Sequence, residues 1–253
     1  DAAPKAHTTR PNLTLLHGWG LNGAVWQGIR DELAHRYTLH IIDLPGHGRS
    51  HHTLVHDVPE MVEAIAHAMP QKTHLLGWSL GGHVALALAH RYPDRVQSLV
   101  TVCTTPCFVE KPDWPYGKSE KIFDDFAKRL GSRYHVTIRN FLALQALNQP
   151  DIREIVTTLQ EAISAQGAPS LAGLTASLSI LRQSDIRPLL PEIQQPVLVL
   201  HGDHDALTST SAASWLADHL PHSTFCLIEH AAHAPFLSHP RAFIDHLNAF
   251  VNV

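Results

Sequence analysis

The sequence predicts an α/β fold: a mostly parallel β-sheet flanked by helices, with a helical insertion late in the chain. Three observations predict it. Six short β-rich runs are apolar throughout, as strands buried on both faces of a sheet must be. Segments of helical length separate most of them and are placed to act as right-handed crossovers. The alternation breaks once, between residues 108 and 188, where helical spacing continues without a strand.

In chain order, the run at residues 13–16 leads into a helical segment at 22–36, and 39–43 into 58–69. The run 73–77 passes at once into a helix at 80–92, and 98–102 precedes the insertion. After it, 197–201 leads to 210–219, and 224–228 to 240–251. Pro112, Trp114, Pro115 and Gly117 open the insertion. Helices are expected in it at 119–130, 133–146, 151–165 and 170–181, with breaks at Gly131, Pro150 and Gly167-Ala168-Pro169. An insertion ahead of the final strands commonly sits over the C-terminal edge of such a sheet, where ligands bind, so it reads as a lid. The division is therefore core 1–108, helical lid 109–187 and core 188–253.

Composition narrows the class. The 253 residues are 44% hydrophobic and 17% charged, enough apolar material for one large core. Nineteen Lys and Arg against 23 Asp and Glu, with no basic tract, remove the electrostatic footprint of a nucleic-acid binder. Apolar runs fall far short of a membrane span, and the opening DAAPKAHTTR lacks the apolar core of a signal peptide. Three cysteines, an odd number in a long chain, argue for a reducing compartment, with the cytoplasm as the default. A monomer is expected.

The sharpest motif is Gly77-Trp78-Ser79-Leu80-Gly81, set between a strand and a helix, which is the nucleophile-elbow pattern. Turning a strand straight into a helix strains the central residue, and side chains two positions either side would collide. The serine hydroxyl then stands clear of the fold at a helix N-terminus, where the dipole favours developing negative charge. Serine alone is a weak nucleophile and needs a base, which needs an orienting acid. In this architecture the acid follows the serine and the histidine follows the acid. Gly202-Asp203-His204-Asp205 after the fifth run offers Asp205 or Asp203, and Glu229-His230-Ala231-Ala232-His233 after the sixth offers His233 or His230. The oxyanion needs two fixed donors. The Leu80 amide is one, and the Trp19 amide in the glycine-rich His17-Gly18-Trp19-Gly20 is the other.

Together HGWG at 17–20, DLPGHGRS at 43–50, GWSLGG at 77–82, GDHD at 202–205 and AAHAPF at 231–236 resemble the α/β-hydrolases. With HGWGLN, SLVTVCTTPCF at 98–108, RNFLALQ at 139–145 and AAHAPFLSHP at 231–240, the likeness extends over nearly the whole chain. It is to the carboxylesterase family that hydrolyses the methyl ester of a pimeloyl chain on acyl-carrier protein, releasing methanol, in biotin biosynthesis. The resemblance implies Ser79 as nucleophile, Asp205 as acid and His233 as base. It also implies a substrate pocket lined by Trp19, Ser79, Leu80 and the segment Phe141, Leu142, Ala143, Leu144 and Gln145. The partner implied is an acidic acyl-carrier protein docked on lid arginines. Arg153 matches one such position, Arg133 and Arg139 lie near others, and Val136, Asn140 and Thr157 stand where the family has the rest. Residues 118–153 hold seven Lys or Arg against four Asp or Glu, a basic bias that suits an acidic partner.

Two spacings, His201-x-x-His204-Asp205 and His230-x-x-His233, resemble fragments of a metal site, but neither completes a known ligand set. No metal or other cofactor is expected. Alternatives on the same triad are a general short-chain carboxylesterase or a carbon–carbon-bond hydrolase. A non-catalytic binding protein on this fold would be a different class.

Overall fold

The computed structural model describes residues 10–251. The N-terminal stretch read above for a signal core lies, but for Arg10, outside them. Six strands form one sheet: β1 (Asn12–Leu16), β2 (Thr38–Ile42), β3 (Thr73–Trp78), β4 (Val96–Val102), β5 (Val197–Gly202) and β6 (Ser223–Ile228). Their order is β2-β1-β3-β4-β5-β6, and each neighbouring pair is parallel. All C-terminal strand ends therefore lie on one edge, the edge at which open α/β sheets bind ligands.

Helices α1 (Gln27–Arg36), α2 (Val58–Ala68) and α3 (Leu80–Arg91) connect the first four strands. Four more, α4 (Glu120–Ser132), α5 (Tyr134–Gln145), α6 (Ile152–Gln166) and α7 (Leu171–Gln183), lie between β4 and β5. Then come α8 (Thr210–Asp218), α9 (Pro235–Ser238) and α10 (Pro240–Val251). Local chemistry fixes their starts. Asp57 caps α2 by accepting the Glu60 N–H at 2.8 Å while the Glu60 carboxylate accepts the His56 N–H at 2.8 Å, a reciprocal cap. Ser170 and Ser209 cap α7 and α8 in the same manner through the N–H groups of Gly173 and Ala212. Helix α3 is buried from Leu80 to Ala89, so it is apolar on nearly every face and forms the centre of the core behind β3.

The structure departs from the sequence expectation in a few places. The first helical segment is split into a 3-10 turn at Gly23–Trp26 and α1, because the Asn22 side chain caps the turn through the Ala24 N–H. Asp43, expected at a strand end, stands beyond β2 and anchors loops: its carboxylate accepts the backbone N–H groups of Gly23 and Arg49 at 2.7 and 2.9 Å. A 3-10 segment at Arg187–Glu192 and the short α9 carry too few turns to show a helical period.

Candidate active site

The elbow follows from two steric demands. Ser79 sits at φ 55°, ψ −115°, a left-handed conformation that costs a non-glycine residue roughly 1–3 kcal/mol and is retained only where surrounding structure enforces it. Enforcement comes from close backbone approach. A Cβ on Gly77 would strike the Gly81 carbonyl, and one on Gly81 would strike the carbonyls of Leu16 and His17. The Ser79 N–H donates to Val102 O at 2.9 Å, and Thr104 Oγ1 donates to Ser79 O at 2.6 Å, so the end of β4 and the loop after it grip the elbow on both sides.

Asp205, in the loop after β5, and His233, in the loop after β6, meet: His233 Nδ1 lies 2.7 Å from Asp205 Oδ2, with both side chains shielded from solvent. Asp205 is held by more than this contact. Its Oδ1 accepts the N–H groups of Leu207 and Thr208 at 2.8 and 3.1 Å, and Oδ2 accepts Thr208 Oγ1–H at 2.7 Å. Burial alone would raise its pKa, but the pull of His233 and the hydrogen bonds from His233 and Thr208 outweigh it and hold the carboxyl well below the usual range. An ionised Asp205 can only accept, so His233 Nδ1 carries the proton and Nε2 is left as the acceptor. Asp203 and His230, the other members of the two sequence pairs, are exposed and outside this contact.

His233 is fixed through its backbone as well. Its N–H donates to Gln145 O at 3.1 Å, at the end of α5, and its carbonyl accepts the Trp78 indole N–H at 2.7 Å. Three residues earlier, the His230 carbonyl accepts Gln149 Nε2–H at 2.7 Å. The inserted helices thus hydrogen-bond directly to the loop that carries the histidine. His201 adds a second buried imidazole, with Nε2 3.5 Å from Asp205 Oδ2 and 3.2 Å from Thr208 O.

Among the described residues, the backbone N–H groups of Trp19 and Leu80 have no hydrogen-bond partner. The Leu80 amide is one of the donors every helix leaves open in its first turn. The loop holding Trp19 is set by two buried histidines. His17 donates Nδ1–H to Gly18 O at 2.8 Å and accepts the Leu44 N–H at Nε2 at 2.9 Å. His47 donates Nδ1–H to Pro45 O and accepts the Gly20 N–H, both at 3.0 Å. Burial lowers their pKa values to about 4 and about 3, so both stay neutral struts.

A cavity of about 150 Å³ opens beside Ser79. Trp19, Phe126 and Phe141 wall it with mutual edge-to-face packing, ring centroids 5.1 to 5.8 Å apart. The Trp19 indole N–H is tied to Leu174 O of α7 at 3.1 Å. Of the pocket residues expected from the sequence, Trp19, Ser79, Phe141 and Leu144 line this cavity. Leu80 is fully buried and off the wall; Leu142 turns into the core, and Ala143 and Gln145 are also off the wall, as the helical rotation of α5 requires of its consecutive residues. Phe123, Phe126 and Leu178 line it without having been singled out, because an apolar residue facing a cavity has the same helical pattern as one facing a core, and Phe108 and Leu207 join them from loops, where no period marks them. Two larger surface grooves, of about 560 and 690 Å³, contain none of the residues that carry the chemistry.

Arg133, Arg139 and Arg153 are exposed on the inserted helices and form no ion pair among the described residues. Of the acids nearby, Glu120 and Asp124 are both engaged by Arg182, at 2.6 and 2.7 Å. No helix among the described residues is long and apolar enough to cross a membrane. The three cysteines are free thiols.

Comparison with known proteins agrees with this architecture. The family model described as alpha/beta hydrolase fold matches residues 11–240. A pimeloyl-[acyl-carrier protein] methyl ester esterase of Nitrosomonas europaea is 41% identical over 239 residues, covering 94% of this chain and 95% of that protein. One of Salmonella newport is 43% identical over 236 residues, covering 93% and 92%. Among solved structures, an esterase from Exiguobacterium antarcticum superposes with a TM-score of 0.84 at 22% identity, over 97% of this chain and 93% of that one, a likeness of fold. The chain belongs to the α/β-hydrolase fold family, and within it to the family of the pimeloyl-[acyl-carrier protein] methyl ester esterases.

Proposed function

We propose that the chain is a serine carboxylesterase that hydrolyses the methyl ester of pimeloyl-[acyl-carrier protein], releasing methanol, in biotin biosynthesis. The observation that carries the chemistry is the buried 2.7 Å contact of His233 Nδ1 with Asp205, which leaves Nε2 free to take a proton beside the elbow. In this reading Ser79 Oγ attacks the ester carbonyl and its proton passes to His233 Nε2. The tetrahedral oxyanion is held by the N–H groups of Trp19 and Leu80, each donor typically worth about 3 to 4 kcal/mol of barrier. The imidazolium, stabilised by ionised Asp205, protonates the departing methoxide. Water, activated by the same nitrogen, then cleaves the acyl-enzyme and regenerates Ser79.

The insertion, residues 109–187, acts as the lid, and Phe141 and Leu144 bed the acyl chain in the apolar cavity. The unpaired Arg133, Arg139 and Arg153 supply the face for an acidic acyl-carrier protein. A monomer in the cytoplasm accords with the free thiols and with a carrier-bound substrate.

The test compares pimeloyl-[acyl-carrier protein] methyl ester with a short p-nitrophenyl ester on wild type and Ser79→Ala. Cleavage of the carrier-bound ester by wild type and its loss in a folded Ser79→Ala is the expected result. Cleavage of the short ester alone would leave the triad standing and point to a general esterase. Activity in Ser79→Ala would overturn the mechanism.

A further inference from the structure

The fold sorts the histidines and aspartates at the ends of β5 and β6 and in the loops after them into two tiers. Their buried members, His201, Asp205 and His233, converge in the active site. Their outer members converge as well. Asp203, His204 and His230 are exposed, and one ligand atom from each, imidazole nitrogen or carboxylate oxygen, lies within 4.8 Å of the others. The two imidazole rings stand edge to face with centroids 5.4 Å apart. None of the three side chains has a hydrogen bond or ion pair among the described residues, so no ligand atom has to be released from another partner.

We infer that Asp203, His204 and His230 form a binding site for one divalent transition cation of the zinc type, joining the loops that follow β5 and β6. Two imidazoles and one carboxylate are the donors such ions prefer, with water completing the coordination. Calcium and magnesium prefer six or more oxygen ligands, and this cluster offers one carboxylate. The backbone holding the three is already joined: the His204 N–H donates to Ala231 O at 2.9 Å and the Asp203 N–H to Ile228 O at 3.3 Å. His230 is kept at φ 62° with its carbonyl fixed by Gln149. The same loops carry Asp205 and His233, so the bound ion braces the supports of the triad without touching it. A second cluster within 4.8 Å, Cys103, Asp205 and His233, is buried. A cation there would occupy the triad itself, which makes the two sites distinguishable.

The experiment is a calorimetric titration of tag-free protein with Zn²⁺, run beside thermal melting and fluorophosphonate labelling of Ser79. The variants are His204→Ala and His230→Asn; asparagine tolerates the left-handed backbone at position 230, so folding is retained. His51→Ala/His52→Ala is the control, since those adjacent rings form another surface pair, 3.8 Å apart. Expected are one Zn²⁺ per chain, a rise in melting temperature, and at least about tenfold weaker binding in each of the two variants, as loss of a ligand demands. The control should bind as wild type does, Mg²⁺ should not compete, and labelling should persist at saturation. Absence of saturable binding, unchanged affinity in both variants, an equal loss in the control, or labelling that disappears in step with binding would each overturn the site.

Discussion

At residue scale, Asp205 gives the most exacting test of the triad. Asp205→Asn keeps one oxygen where Leu207 and Thr208 donate their N–H groups, so the side chain keeps its orientation and the amide NH₂ must face His233. That group donates where the carboxylate accepted. It forces Nδ1 to become the acceptor and moves the ring proton to Nε2, the atom that receives the Ser79 proton in the proposed mechanism. The fold should survive and kcat should fall about 10⁴-fold with little change in KM. Steady-state kinetics on any cleavable ester checks it. A loss below tenfold would remove Asp205 from the acid role.

Elements, more than single residues, set where the histidine stands. Helix α5 ends against the loop after β6, giving the Gln145 carbonyl to the His233 N–H, and just beyond it Gln149 donates to the His230 carbonyl. Gln149→Leu removes the second contact and leaves a carbonyl unpaired, at a cost of about 1–3 kcal/mol. Because Gln149 is off the cavity wall, the expected signature is a lower kcat at nearly constant KM and a lower melting temperature. Gln149→Glu, which keeps the acceptor oxygens but loses the donor, should fail to rescue. A change confined to KM would mean that Gln149 serves the pocket instead. This clamp is also where sequence reading stopped. The six strands, and the helices other than the split first one and the two shortest segments, were legible to within about two residues because apolar runs, caps and glycine–proline breaks are local signals. The elbow was legible for the same reason: Gly77, Ser79 and Gly81 sit within five positions. The link from Gln149 to His230 spans 81 positions and uses a backbone carbonyl, which has no sequence signature. The aromatic wall was half legible, since Phe141 was singled out but Phe126, on another helix, meets it only after folding.

For the whole molecule, the abundance of histidine becomes a statement about acid stability. His17, His47 and His83 are fully buried, and burial lowers their pKa values to about 4, 3 and 4. Their hydrogen bonds suit neutral rings: a proton on His17 Nε2 or His47 Nε2 would displace the N–H of Leu44 or Gly20. In the unfolded chain the same rings titrate near pH 6.5, so between that value and about pH 4 the unfolded state binds more protons and stability falls as pH falls. At pH 5 the loss is roughly 2 kcal/mol per histidine, and the figure hardly depends on how far below 5 the native values lie. Three such groups remove a large part of the roughly 5–15 kcal/mol that holds a typical domain together. The depressed carboxyls of Asp43, Asp185 and Asp205 act in a separate window. Their stabilisation is complete above the ordinary carboxylate range and is lost only as pH falls below about 4. A drop in the urea midpoint between pH 7.5 and pH 5 therefore belongs to the histidines. His83→Leu, which removes a ring whose Nδ1 donates to Thr105 O and which lies outside the triad, should reduce the accompanying loss of unfolding free energy, the midpoint multiplied by the urea m-value, by about 2 kcal/mol. Equal midpoints at the two pH values would show that these rings are not held neutral in the fold.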